Sequence, residues 1–209
     1  SEMCIRDSDK DARITAIKVN TLANLGAYLS PFGSLVPTYN YAMMLVGPYS
    51  IPNVVADVKG VYTNTSPVDA YRGAGRPEAT FVVETLIDNA ANELGLDPSD
   101  LRSRNLVQPE QIPYQTPTGL VFDSGDFPAH FEKALERAQY FSFKERQQES
   151  LKHGKRRGIG ISNYVEACAI GPSAIAGVLG ADYGLWESAT VRFLPTAKVE
   201  VVTGSHSQG

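Results

Sequence analysis

One stretch of ten residues carries the densest chemistry in the chain: Ala70-Tyr71-Arg72-Gly73-Ala74-Gly75-Arg76-Pro77-Glu78-Ala79. Arg72 and Arg76 place planar, permanently charged donor forks on either side of a Gly-Ala-Gly bend. Gly73 and Gly75 lack Cβ, so the backbone there can take positive φ and approach a ligand closely. Pro77 suits a first helical position, where its missing N–H costs nothing. A strand before this bend and a helix after it would turn backbone N–H groups and a positive helix end toward an anion. The bend is not the dinucleotide fingerprint G-x-G-x-x-G, because Glu78 stands where the third glycine belongs. Turn geometry alone accounts for many such loops.

Other chemistry-bearing side chains are scattered. Cys4 and Cys168 lack zinc spacing and are too few for a disulfide framework, so each reads as an idle or buried thiol. His130, His153 and His206 are dispersed and make no metal set. No cysteine cluster of the iron–sulfur type occurs, so any such centre must sit on another chain.

The elements that must position the loop follow from periodicity. Asp9-Lys10-Asp11 reads as a hairpin-type turn, and Ala12 to Thr21 alternates as a strand does. Leu22 to Tyr28 continues it, with Gly26 as a bulge or close backbone approach. Tyr28 to Tyr39 is loop, and Asn40 to Val46 is a short apolar run, helix or buried strand, ended by Gly47-Pro48. Val54 to Asn64, rich in valine, is expected as a buried strand entering the ten-residue loop. From Pro77 to Leu94 the spacing predicts a helix with Phe81, Val82, Leu86, Ile87, Ala90 and Leu94 inward. On that helix Glu84 reads as a surface carboxylate. Gly95 is its left-handed stop, and Asp97-Pro98 starts a short helix running to about Arg104.

Asn105 to Gly125 reads as an ordered surface loop. Asp126 caps a helix with Phe131, Leu135 and Ala138 inward, and Phe141 to His153 forms another. The basic run Lys152 to Arg157 is a solvated helix end. Gly158 to Val165 is expected as a strand. Glu166 to Gly184 is too poor in bulky residues for a core helix. Glu187 to Phe193 and Lys198 to Thr203 form a hairpin.

The ten-residue loop resembles the active-site loop of the large, molybdopterin-binding subunit of the xanthine dehydrogenase family of molybdenum hydroxylases. In its Arg-Gly-Ala-Gly form it is most similar to the carbon monoxide dehydrogenase large-subunit-like branch. The likeness continues in order through Asn24-Leu25-Gly26-Ala27-Tyr28, Gly47-Pro48-Tyr49-Ser50-Ile51-Pro52-Asn53, Gly95-Leu96-Asp97-Pro98 and Arg102 to Asn105. Pro113 to Gly119, Asp123-Ser124-Gly125-Asp126, Arg157-Gly158-Ile159-Gly160-Ile161 and Thr203-Gly204 complete it.

The resemblance implies an α+β fold, as a fragment across two molybdopterin-binding domains of a molybdenum hydroxylase large subunit. It assigns Arg72, Gly73, Ala74, Gly75, Arg76 and Gly209 to cofactor binding, and Asn40 and Ala74 to the substrate pocket. Gly209 would be the first glycine of a Gly-Gln-Gly turn. No side chain of the chain would ligate the metal. The cofactor would be molybdopterin cytosine dinucleotide carrying molybdenum. Electrons would pass to [2Fe–2S] clusters on a small partner subunit and on to FAD on a medium subunit, within a dimer of heterotrimers. The reaction would be hydroxylation with oxygen drawn from water.

The departures narrow the chemistry. The position of a copper-holding cysteine is Gly73, which argues against copper-dependent oxidation of carbon monoxide. A purine-stacking phenylalanine is replaced by Ala74, and a substrate-orienting arginine by Asn40. A roomier pocket remains, suited to an aldehyde or an N-heterocycle. The family's glutamate base lies beyond the C-terminal end, so no catalytic residue is assigned within the chain. Glu166 could line the cofactor cleft or be an ordinary paired carboxylate. By this reading the isolated piece would not turn over substrate. The alternatives are a non-catalytic scaffold or maturation partner that keeps the fold, a copper-free relative of unknown substrate, and plain phosphate-ester binding at Arg72 to Arg76.

Composition bounds these readings. The chain has 209 residues, 43% hydrophobic and 20% charged, which describes a globular protein. A net charge of −4 gives no reason to expect nucleic acid as a partner. No apolar run approaches a membrane span, and a cytoplasmic location follows as an expectation. Residues 1–8 lack periodicity and are set aside as non-native read-through. Residues 9–108 are assigned to the end of a first domain, 109–127 to a linker loop and 128–209 to the start of a second.

Overall fold

The structure is a computed structural model that describes residues 3–166, 177 and 188–205. Cys168, His206 and Gly209 fall outside the described residues. Contacts group the chain into two units, 1–165 and 166–209.

In the first unit, strand β1 (Met3–Ser8) pairs antiparallel with β2 (Ile14–Gly26), which pairs parallel with β3 (Val54–Tyr62). Of the residues set aside at the N-terminus, Met3–Ser8 thus form a strand at the edge of this sheet among the described residues. Asp9 organises the turn between β1 and β2, its Oδ1 accepting from the N–H groups of Asp11 and Arg13, each at 2.9 Å. A parallel pair cannot be joined by a tight turn, so residues 27–53 cross from one end of the sheet to the other. That crossover carries a 3₁₀ turn (Gly33–Leu35), a π-helical turn (Val36–Asn40) and the single turn α1 (Tyr41–Met43). It is therefore the crossover that delivers Asn40.

Helix α2 (Arg76–Leu94) follows β3, stops at Gly95 (φ 65°), and leads into α3 (Pro98–Asn105). Asp97 caps α3 through a 2.8 Å bond from the Ser99 N–H. A small hairpin, β4 (Tyr114–Gln115) and β5 (Val121–Phe122), precedes α4 (Phe127–Arg137) and α5 (Phe143–Lys152). Asp126 caps α4 by accepting from the Ala129 N–H. The core joins Ile14, Ile17 and Val19 of β2 to Tyr41, Leu45, Tyr49 and Ile51 of the crossover. It continues through the buried side of α2 to Leu101, Phe131 and Leu135.

Four expectations are corrected. The first concerns β3, which is mostly exposed. Among the described residues it has β2 on one side only, so its valines express strand propensity rather than burial. The second concerns α2, where Phe81 is 69% exposed and Leu94 45% exposed. The buried stripe runs through Ala79, Val82, Val83, Ile87, Ala90 and Ala91, because small alanines let the backbone close on the core. The third concerns Gly158 to Val165, which pair in no ladder among the described residues; side-chain donors hold the segment there. The fourth concerns Ala138, exposed at the end of α4.

In the second unit β6 (Ala189–Phe193) and β7 (Val199–Thr203) form the expected hairpin, in register from Ala189↔Thr203 to Phe193↔Val199.

Candidate cofactor loop

The loop begins where β3 ends. After Tyr62 the chain turns back over the end of β2, with the Thr63 N–H donating to Gly26 O, Ala27 N–H to Thr65 O and Val68 N–H to Leu25 O. Gly26, at φ 76°, lets this pass: a Cβ there would strike Ser66 O and come within 2.5 Å of Pro67 Cα. The bulge expected at Gly26 coincides with the register shift between Asn24 and Gly26.

Residues 73 to 75 are all left-handed, with φ 98° at Gly73, 40° at Ala74 and 92° at Gly75. For Ala74 this conformation carries strain that glycine would not feel. Short bonds hold the bend: Ala74 N–H to Tyr71 O at 2.8 Å, and Arg76 N–H to Gly73 O at 3.0 Å. Arg76 turns its side chain back on the bend, with Nη1 3.3 Å from Gly73 O and 3.5 Å from Ala74 O. Gly75 is buried where a Cβ would strike Val36 O, come within 2.9 Å of Tyr41 N and 3.1 Å of Asn40 Cβ. Asn40 is thereby placed beside the bend. The exposed side of the loop carries Tyr71 and Arg72.

Gly75 is also the N-cap of α2, so no cap side chain occupies the first-turn amides. Glu78 adds a carboxylate to that turn. The structure thus brings together Arg72, Gly73, Ala74, Gly75, Arg76 and Asn40, all six of the assigned residues that it describes. Gly209 and His206 lie outside the described residues. Glu166, His130 and His153 are exposed, and His153 Nε2 lies 3.3 Å from the Glu149 carboxylate.

Glu84 is a correction. It is 6% exposed and lies in the interior, not on the surface. The Arg102 side chain, fully buried, approaches Glu84 Oε2 at 2.9 Å through Nε and 2.8 Å through Nη2. Arg102 Nη1 bonds Asp88 at 2.8 Å, and Tyr49 Oη donates to Glu84 Oε1 at 2.5 Å. Burial raises the Glu84 pKa, and Arg102 and Tyr49 offset only part of that. Burial, then the Glu84 carboxylate, pushes the Tyr49 phenol well above its ordinary value. Burial works to lower Arg102, but Glu84, Tyr49 and Asp88 outweigh it and raise its pKa. The available signal was the pairing of Glu84 with Asp88 one turn on, facing an arginine in the next helix.

Residues 8–106 and 133–209 match two family profiles, each described as a molybdopterin cofactor-binding domain. The carbon monoxide dehydrogenase large chain of Afipia carboxidovorans is 36% identical over 208 residues, 96% of this chain and 26% of the relative. The nicotine 6-hydroxylase large subunit of Paenarthrobacter nicotinovorans is 31% identical over 97% of this chain and 25% of its own length. Among solved structures, quinoline 2-oxidoreductase of Pseudomonas putida 86 superposes with a TM-score of 0.81 at 34% identity, covering 98% of this chain and 26% of that one. A copper- and molybdenum-containing carbon monoxide dehydrogenase gives 0.76 at 33% identity, over 100% and 27%. The chain therefore spans about a quarter of the length of these relatives. With the strand–bend–helix loop inside the first matched region, the chain belongs to the molybdopterin-binding large subunits of the xanthine dehydrogenase family, in the carbon monoxide dehydrogenase large-chain-like branch.

Proposed function

We propose that the longer protein of which this chain is part is a molybdenum hydroxylase acting on an aldehyde or an N-heterocycle. The observation that carries the reading is the left-handed Gly73-Ala74-Gly75 bend between two arginines, at the glycine-capped start of α2. Its donor set suits an anionic, phosphate-bearing group: guanidinium at Arg72 and the positive end of a helix of 19 residues whose glycine N-cap brings no side chain of its own. When bound, the molybdopterin supplies a metal centre that hydroxylates carbon with oxygen from water and takes up two electrons. The chain's part is positioning and electrostatics. Arg72 binds and orients the anionic group, Arg76 braces the bend from within, and Asn40 with Ala74 shapes the substrate side.

The small Ala74 side chain leaves a roomier pocket, and the neutral Asn40 favours an uncharged substrate. The names of the quinoline and nicotine enzymes support the N-heterocycle class. The cofactor is proposed to be the cytosine dinucleotide form. Electrons would leave through [2Fe–2S] clusters on a small subunit to FAD on a medium subunit, in a cytoplasmic dimer of heterotrimers. Residues 9–108 would close the first domain, 109–127 link, and 128–209 open the second.

The test is the full-length protein purified with its partners. It should contain stoichiometric molybdenum and reduce a dye with at least one aldehyde or N-heterocycle. Arg72→Met should lower kcat/KM about a hundredfold, the scale for removing one preorganised donor. A complex free of molybdenum, or an unaltered Arg72→Met variant, overturns the reading.

A further inference from the structure

We infer that the buried Tyr49–Glu84–Arg102 cluster is the positioning device for the cofactor loop, setting the rotation and depth of α2 so that the bend at 73–75 meets its ligand. This rests on the functional reading above. Glu84 lies on α2 about 12 Å along the axis from Arg76, where the loop ends. One guanidinium grips α2 at two successive turns, through Glu84 and Asp88. The same group holds its own helix at Pro98 O, 3.1 Å away, and the 158–165 segment at Ile161 O, 3.2 Å away. Tyr49 takes the other Glu84 oxygen and receives the Asn163 amide at 3.2 Å. Tyr49 is itself tied to the end of α3 by its bridge with Leu106. Two grips one turn apart on one helix resist both sliding and rolling, which a smooth apolar contact does not.

Stability alone does not call for these residues. Buried ion pairs replaced by apolar side chains of similar volume leave proteins equally or more stable in many cases. Directional bonds instead select one register among packings of similar energy. The side-chain bonds described for the cluster run to α2, to Pro98 and to Ile161 and Asn163, none of them in the 70–76 loop, so its residues are positioning residues.

The test uses the full-length complex. The triple variant Tyr49→Phe/Glu84→Leu/Arg102→Met removes the bonds and keeps the volume. It should melt close to wild type, and the amides of Ile87 to Ala91 should exchange as slowly as before. The amides of 73, 74, 75 and 76 should exchange about tenfold faster. In the molybdenum-loaded complex kcat should fall with KM little changed. Loop exchange equal to wild type, or acceleration shared equally along all of α2, overturns the proposal. Should the triple variant fail to fold, Glu84→Gln is read in the same way, with the same two outcomes. Exchange reports on the loop with or without the cofactor. A wild-type complex lacking molybdenum therefore removes the functional reading and leaves the positioning claim to be decided by exchange.

Discussion

Ala74 sits at φ 40° with a left-handed glycine on each side. Ala74→Gly should release strain and raise stability by less than about 1 kcal/mol, the gain being trimmed by the added freedom of the unfolded chain. Gly75→Ala should do the reverse. Its new Cβ would meet Val36 O and Tyr41 N, which are backbone and cannot step aside, and φ would be unfavourable as well. A loss of about 2–4 kcal/mol is expected in urea unfolding. Asp97 and Tyr140 give a second pair of measurements. Burial works to raise Asp97, but bonds from Ser99 and Tyr140 outweigh it and hold its pKa low. A depressed carboxyl contributes stability above its unfolded pKa and loses it as pH falls through the folded value, on the acid side of the ordinary range. Asp97→Asn keeps the cap and should flatten that acid limb, whereas Asp97→Ala should cost about 1 kcal/mol at neutral pH. Tyr140, raised by burial and by its bond to Asp97, ionises at about 12. Its contribution is complete below the unfolded value and fades as pH rises through about 12. A phenolate absorbance titration of wild type against Tyr140→Phe isolates this group. Local determinants at this scale are legible in sequence: the caps at Asp97 and Asp126, the bulge at Gly26, the bend glycines. Glu84 is legible only in part: its spacing to Asp88 stands in the sequence, but the partner that buries it lies 18 residues away on another helix.

At the scale of elements, α2 shows what periodicity resolves and what it does not. The existence, start and glycine stop of the helix follow from the sequence. Its facing is misjudged because a large apolar Phe81 outweighs small alanines on any pattern, while close packing favours the alanines. Phe81→Ser should cost less than about 0.5 kcal/mol, and Ile87→Ala about 2–4 kcal/mol, in denaturant midpoints. Arg102→Ala should cost about 3–5 kcal/mol, since it strands the Glu84 carboxylate in the interior. The 158–165 segment shows a different failure. Its glycine-spaced apolar residues match a strand template, but what holds it is the side chain of Arg102 and a Tyr49–Asn163 bond, neither of which a local pattern contains.

For the whole molecule, the second unit differs from the first in what supports it. Every residue of β6 and β7 is exposed, Phe193 by 83%. A two-stranded ribbon without a covered face is marginal in water. In the 209-residue chain its amides should therefore lose hydrogen-exchange protection well before those of α2. Family membership was legible because separated motifs keep their order along the whole chain, whereas substrate depends on pocket shape that no motif states.

The touching backbones at Gly26 and Gly75 bear on how this protein can change. The stretch from Ser66 to Gly75 is pinned at each end by main chain meeting main chain, against β2 at one end and against the crossover at Val36 at the other. A side chain added at either seat would drive a Cβ into that main chain, so Gly26 and Gly75 are the positions where this site is least free to change. Diversification of this site is thereby pushed onto the exposed residues between the two posts, Asp69 to Arg72, while the posts themselves stay glycine.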